Sequence, residues 1–135
     1  MATFTKFQPF VEAVAEKKHN LGSDQLVVAL TNTVPVNTNS VLTNITQISY
    51  TNLSSRNVTT SSSAQTTGTY KLTLADLVLT ASGAVATFRY VVLYNDTATN
   101  DDLIGYYDYG SSLTMASGET FTIDFDASGG ALTIA

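Results

Sequence analysis

Ala84 to Gly110 is the stretch that most constrains the fold of this chain. It reads as two strands around an acidic, polar loop. Side chains alternate faces along a strand. Ala86, Phe88, Tyr90, Val92 and Tyr94 therefore share one face, and Val85, Thr87, Arg89, Val91 and Leu93 share the other. The first, aromatic face is expected on the core. The second is expected to be partly covered at Val91 and Leu93. Asn95 to Asp102 breaks the run, because Asn and Asp side chains compete with the ladder for hydrogen bonds and favour turns. The chain returns through Leu103, Ile104, Tyr106, Tyr107 and Tyr109, so five of the seven tyrosines fall in this hairpin. Those last three tyrosines cannot all lie on one face, so at least one is expected toward solvent or a partner.

The rest of the chain supports a β-sheet body with one helix. Thr5 to Asn20 carries Phe7, Phe10, Val11, Val14 and Ala15 at helical spacing, which predicts an N-terminal α-helix over about 6–19. Pro9 suits the first turn, where its missing N–H costs nothing. Lys17, Lys18 and His19 are expected in the last turn, with Asn20 and Gly22 as stop residues. Asp24 to Thr31 reads as a strand covered on both faces. Asn32 to Ser40 is a loop, and Val41 to Tyr50 is irregular, running into a strand near Ile48. Thr51 to Gly68 is the most polar segment and predicts either a mobile loop or a projecting edge hairpin.

Beyond it, Tyr70 to Leu74, Leu77 to Thr80, Leu113 to Met115, Phe121 to Phe125 and Leu132 to Ile134 read as short strands between turn signals. About seven or eight strands follow from this spacing. The fold class is mainly β: one antiparallel β-sandwich or barrel, jelly-roll-like, spanning 1–135, with the helix packed on the sheet. An isolated helix of this length is marginal in water, so its aromatic face is expected to cap the sheet.

Composition narrows the function classes. Charged residues make up 13% of the 135 residues, while Thr, Ser and Asn number 22, 13 and 9. This is a hydroxyl- and amide-rich surface unlike the usual charged one. A net charge of −5 argues against nucleic-acid binding, which needs a basic footprint. No apolar run approaches membrane-spanning length, and Met1 to Lys6 has no signal-peptide pattern. With no cysteine, disulfide and thiolate chemistry are absent. Asn44, Asn52, Asn57 and Asn95 head Asn-x-Ser/Thr triplets, which a chain this rich in Asn and Thr carries by chance.

Catalytic signatures are lacking. His19 is the single histidine, and a solvated or capping role beside Lys17 and Lys18 fits it better than acid–base work. No Gly-x-Ser-x-Gly turn presents a nucleophile, and no Gly-rich phosphate loop occurs. Asp96, Asp101, Asp102 and Asp108 gather around the central hairpin, and Asp124 and Asp126 share one face of a later strand. Calcium takes several such oxygens, yet the spacing matches no calcium loop, so these read as solvated turn carboxylates. No catalytic, cofactor or metal residue is therefore assigned. Tyr106, Tyr107 and Tyr109, with the neighbouring aspartates, would suit stacking on a sugar ring or contact with a protein.

Phe10-Val-Glu-Ala-Val-Ala-Glu-Lys-Lys-His-Asn-Leu-Gly-Ser-Asp, Val28-Ala-Leu-Thr-Asn-Thr, Tyr90-Val-Val-Leu-Tyr-Asn-Asp-Thr, Leu103-Ile-Gly-Tyr-Tyr-Asp-Tyr-Gly and Ser117-Gly-Glu-Thr-Phe-Thr-Ile-Asp-Phe-Asp together resemble small virion structural proteins of tailed bacteriophages. The likeness spans nearly the whole chain. It is one of phrase rather than of a catalytic signature, and it carries over no site residue. It implies a non-enzymatic head decoration (cement) protein on the capsid exterior, made in the bacterial host cytoplasm. The implied partner is the major capsid protein, and the implied assembly is a homo-oligomer, with a trimer favoured. Such a protein needs a segment that reaches its neighbours, and the Phe-rich N-terminus and Thr51 to Gly68 are the expected arms. A tail or fibre component, or a carbohydrate-binding β-sandwich using the exposed tyrosines, are the alternatives.

Overall fold

The alternating segments of the sequence become strands in the computed structural model, which describes residues 2–135. In chain order they are β1 (Phe4–Lys6), β2 (Leu26–Thr31), β3 (Asn57–Val58), β4 (Thr60–Thr66), β5 (Thr69–Leu74), β6 (Leu77–Thr80), β7 (Val85–Asn95), β8 (Leu103–Met115), β9 (Thr120–Ile123) and β10 (Leu132–Ile134). One helix, α1 (Gln8–Ala15), follows β1, and a single 3-10 turn spans Leu42–Asn44. The strands form an antiparallel five-stranded sheet in the order β1-β8-β7-β2-β3, a three-stranded sheet β10-β5-β4 and the pair β6-β9.

The five-stranded sheet packs face to face against the two smaller ones, giving a sandwich-like domain. Leu26, Val28, Leu30, Phe88, Val91 and Leu93 meet Leu72, Leu74, Leu79, Ile123 and Phe125 in the main core. The other face of the large sheet is covered too. Val27, Ala29, Val92, Tyr94 and Leu103 bury themselves with Phe7 and Ile45 in a second, smaller core. This is why every residue of β2 is buried, as expected of a strand apolar on both sides.

The face assignment of the central hairpin needs correction. Phe88 lies in the main core, whereas Val92 and Tyr94 lie in the second core, and Val91 and Leu93 take the main one. Irregular pairing between Val85 and Phe88, and again between Phe88 and Tyr90, shifts the strand against β8 and reverses its alternation. The return strand is also longer than expected. β8 runs on past Gly110, whose φ of +84° accommodates the irregularity, so Leu113 and Met115 belong to it and form no separate strand. Gly105, opposite Leu93, lets β1 lie close, because a Cβ there would meet the Phe4 ring and sit 2.6 Å from the Thr5 carbonyl oxygen.

The helix is shorter than the apolar spacing over 6–19 predicts. Thr5 belongs to β1, which pairs with β8, and α1 starts only at Gln8. It ends at Ala15, because Lys17 turns to φ +67° and the Lys17 and Lys18 amides donate to the Val14 and Ala13 carbonyls. That is a Schellman stop with lysine in the position that usually holds glycine. Lys17, Lys18 and His19 thus lie beyond the helix, and the buried face is Phe7, Phe10 and Ala13, with Val11 exposed. Phe10 enters the main core and Phe7 the second one, so the Phe-rich N-terminus is packed into the body and is no arm. The strand expected near Ile48 does not form. Its amide donates to the Leu30 carbonyl without a ladder around it. Thr51 to Gly68 divides: Asn57–Val58 joins the five-stranded sheet as β3, with Val58 buried, and the hairpin alternative holds from Thr60, with β4 and β5 joined by a tight turn at Thr67-Gly68.

Candidate functional site

A concavity of about 1040 Å³ opens where the chain after α1 faces the loop between β7 and β8. Val14, Leu21, Tyr70 and Ile134 give it apolar walls, and His19, Asp24 and Asp102 bring ionisable groups. Asn95, which ends β7, and Asp102, just before β8, are buried at the base of that loop, and the Asn95 amide donates to the Asp102 carbonyl across it.

Asn95 organises this corner. Its Oδ1 accepts from the amides of Thr97 at 3.0 Å and Ala98 at 3.1 Å. Its Nδ2 donates to Asp24 Oδ2 at 2.7 Å, and lies 3.0 Å from His19 Nδ1. With the carboxamide oriented by the two amides, Nδ2 is the donor, so His19 Nδ1 is the acceptor and the ring proton sits on Nε2. Nε2 is buried and has no hydrogen-bond partner among the described residues. The ring also packs on Phe10, 5.2 Å between centroids. His19 is thus neither a solvated residue nor a helix cap. Burial pushes its pKa below 6.5, Lys18 adds to the lowering, and the negative charges of Asp102 and Asp24 pull it upward without overcoming burial.

The corner forms a clamp between loops. No Ser or Thr hydroxyl among the described residues bonds to His19, and the hydroxyl of Ser63 in the wall is taken up by Tyr70 at 2.8 Å. The second half of the clamp is the loop itself: Gln25 donates through its amide to Thr97 Oγ1 at 2.8 Å and accepts from the Asp96 amide at 2.9 Å. No local pattern in the sequence announces this cluster, since Asn95 lies 71 residues from Asp24 and 76 from His19.

The aspartates are dispersed. Asp96, Asp101 and Asp102 stay near the groove, where burial, then the charges of Asp96 and Asp102, raises the Asp101 carboxyl above its ordinary range. Asp108 instead forms a two-point ion pair with Arg89, at 2.8 and 3.1 Å, and accepts from the Gly110 amide. Asp126 caps its own turn through Ser128 and Gly129. Among the described residues no group of three or more His, Cys, Asp or Glu side chains is placed to hold a metal ion.

The three tyrosines divide between the two faces of β8, as their spacing requires. Tyr107 is buried at 4% exposure among Phe4, Tyr109 and Phe125, so its ring offers no stacking platform. Tyr109, half-buried, stands edge-on to Phe121 at 5.0 Å, and burial with the Asp124 charge pushes its pKa up to about 12. Tyr106 lies on Phe7, and its hydroxyl donates to Asn37 Oδ1 at 3.1 Å.

Arg56, in the polar segment, has a structural role. Its guanidinium lies 3.6 Å from the centroid of the Tyr50 ring and donates to the Val28 carbonyl at 2.7 Å. Comparison with protein-family models, with curated proteins and with solved structures gives no match to this chain.

Proposed function

We propose that this chain is a non-enzymatic structural protein of a bacteriophage virion, and specifically a head decoration (cement) protein that binds the outer capsid surface and stabilises the shell. The observation that carries this reading is the β4–β5 hairpin. It is the one expected arm left once the N-terminal phenylalanines are counted in the body, and every residue from Ser61 to Thr66 is exposed. A sandwich with two apolar cores supplies a stiff support, and an exposed hairpin face without charges suits close contact with a neighbouring subunit. The clamp at Asn95 fits the same reading, because the Asn95 carboxamide, Asp24 and the Gln25 backbone hold loops together. The proposed partner is the major capsid protein.

The test is co-sedimentation of the purified protein with expanded capsids. Pelleting at near-stoichiometric copy, with shells that survive higher temperatures, is the expected result. Protein that stays in the supernatant at every ratio overturns the proposal. Copies found on tails in low number move it to a tail or fibre component.

A further inference from the structure

We infer that β4 pairs antiparallel with β4 of a second copy of this chain, giving a two-fold dimer with Ser63 at its axis. The inference starts from how this molecule treats its sheet edges. β1 and β10 have three residues each, β3 has two, and β6 and β9 have four each. Past β3, the open side of β2 is also covered by the Arg56 carbonyl, which accepts from Val28, and by the Ile48 amide, which donates to Leu30. Longer open stretches remain on β8 beyond Tyr107, where β1 ends and the Arg89–Asp108 ion pair stands, and on β4, whose seven residues make no backbone hydrogen bond among the described residues except to β5.

The unused groups can be assigned. Thr66 and Thr69 flank the two-residue turn, so they form a pair that exchanges both backbone bonds. Bonded and non-bonded pairs alternate along an antiparallel ladder, so Ala64↔Lys71 is bonded, whereas Gln65↔Tyr70 and Ser63↔Leu72 are not. The N–H and C=O of Ser63 and Gln65 therefore point away from β5. Two such strands related by a two-fold axis exchange both bonds at Ser63, which suits a self-complementary contact.

Charge selects the partner. Natural edges are commonly guarded by lysine, proline or inward charges. Thr-Ser-Ser-Ser-Ala-Gln-Thr has none of these; its one irregularity lies between Thr60 and Ser62 and leaves Ser63 to Thr66 in regular register, and the whole hairpin from Thr60 to Leu74 carries only Lys71, whose ammonium donates to the Ser128 carbonyl at 3.0 Å. A basic or acidic partner finds nothing to pair with there. A second copy, carrying the same net charge of −5, finds the region of this surface where its own charge is not opposed.

Light scattering across a concentration series tests the pairing, with folding followed by circular dichroism. The wild type is expected at twice 14.3 kDa. Ser63→Pro removes the outward N–H and spares the ladder to β5. It is expected to raise the dimer dissociation constant by about tenfold or more, from loss of a symmetric pair of bonds. Ser63→Ala loses only the hydroxyl contact to Tyr70 and stays dimeric. If Ser63→Pro misfolds, Ser63→Lys sets two ammonium groups at the axis and is expected to be a monomer. A wild type that is monomeric throughout, or the trimer that the family resemblance implies, overturns the pairing. So does a folded Ser63→Pro or Ser63→Lys with an unchanged constant. Shell binding is a separate readout: a monomer that pellets with capsids keeps the virion proposal and removes this one, and a dimer that ignores them does the reverse.

Discussion

At position 95 one carboxamide ties three segments together, and the protonation of its neighbour decides whether the tie holds. Asn95 needs an acceptor at His19 Nδ1, and the amides of Thr97 and Ala98 resist its turning over. The folded pKa of His19 lies below 6.5, so the unfolded chain takes up the proton first. Above about pH 6.5 both states are neutral there and the stability is fully present; it is lost as pH falls from 6.5 toward the folded pKa. The raised carboxyl of Asp101 works with the opposite sign, since its protonation relieves the fold. The two are separated by substitution. Thermal melts from pH 7.5 to 5 are expected to slope downward for the wild type and to flatten in His19→Gln, whose side chain does not titrate. A slope unchanged by the substitution would assign the pH dependence elsewhere. Nothing local in the sequence marks His19 for this role. The basic residues around it read as a helix end, and the helix stops four residues sooner because Lys17 takes the left-handed turn.

Single elements were legible where one face alone decides the pairing. Phe121, Ile123 and Phe125 alternate with polar residues, and a strand forms there at Thr120–Ile123, with Phe125 buried just past its end. β7 is apolar on both faces, so its alternation does not state which face meets which core. The irregular pairing that swaps them depends on β8, whose register the sequence of β7 does not contain. The polar hairpin shows the same limit. Thr67-Gly68 carries positive φ at both positions, +47° and +86°, which is the two-residue turn that matches strand twist. Thr67 is β-branched and ill-suited to that backbone, so the local sequence gives a weak turn signal, and pairing with β5 makes up the difference. Thr67→Asn replaces it with a residue that tolerates the conformation. We expect a gain of about 0.5–1 kcal/mol, read as a higher urea midpoint at unchanged slope and slower exchange of the ladder amides of Ala64, Thr66, Thr69 and Lys71. A loss of stability would mean that the Thr67 side chain contributes more than its backbone strain costs.

On the scale of the whole molecule, net charge and edge chemistry act in opposite directions, and salt separates them. Most of the surface carries hydroxyls and amides, but the sum is still −5. Two bodies of this size have centres about 30 Å apart in a dimer. At that distance, charges of −5 each repel by roughly 3–4 kcal/mol in unscreened water. A Debye length of ~30 Å at 0.01 M salt leaves about a third of that, and one of ~10 Å at 0.1 M leaves almost nothing. Backbone bonds along β4 are local and neutral, so they are little affected over the same range. Pairing through β4 therefore predicts that raising salt from 0.01 to 0.1 M tightens the dimer by roughly fivefold, since about 1 kcal/mol of repulsion disappears. The constant should then level off, because no repulsion remains to screen. An interface built instead on the exposed charges beside the groove, Lys17 and Lys18 against Asp96 of a second copy, would weaken with salt wherever that local attraction outweighs the overall repulsion. The sign of the slope in a light-scattering series thus distinguishes a neutral edge from a charged contact without any substitution.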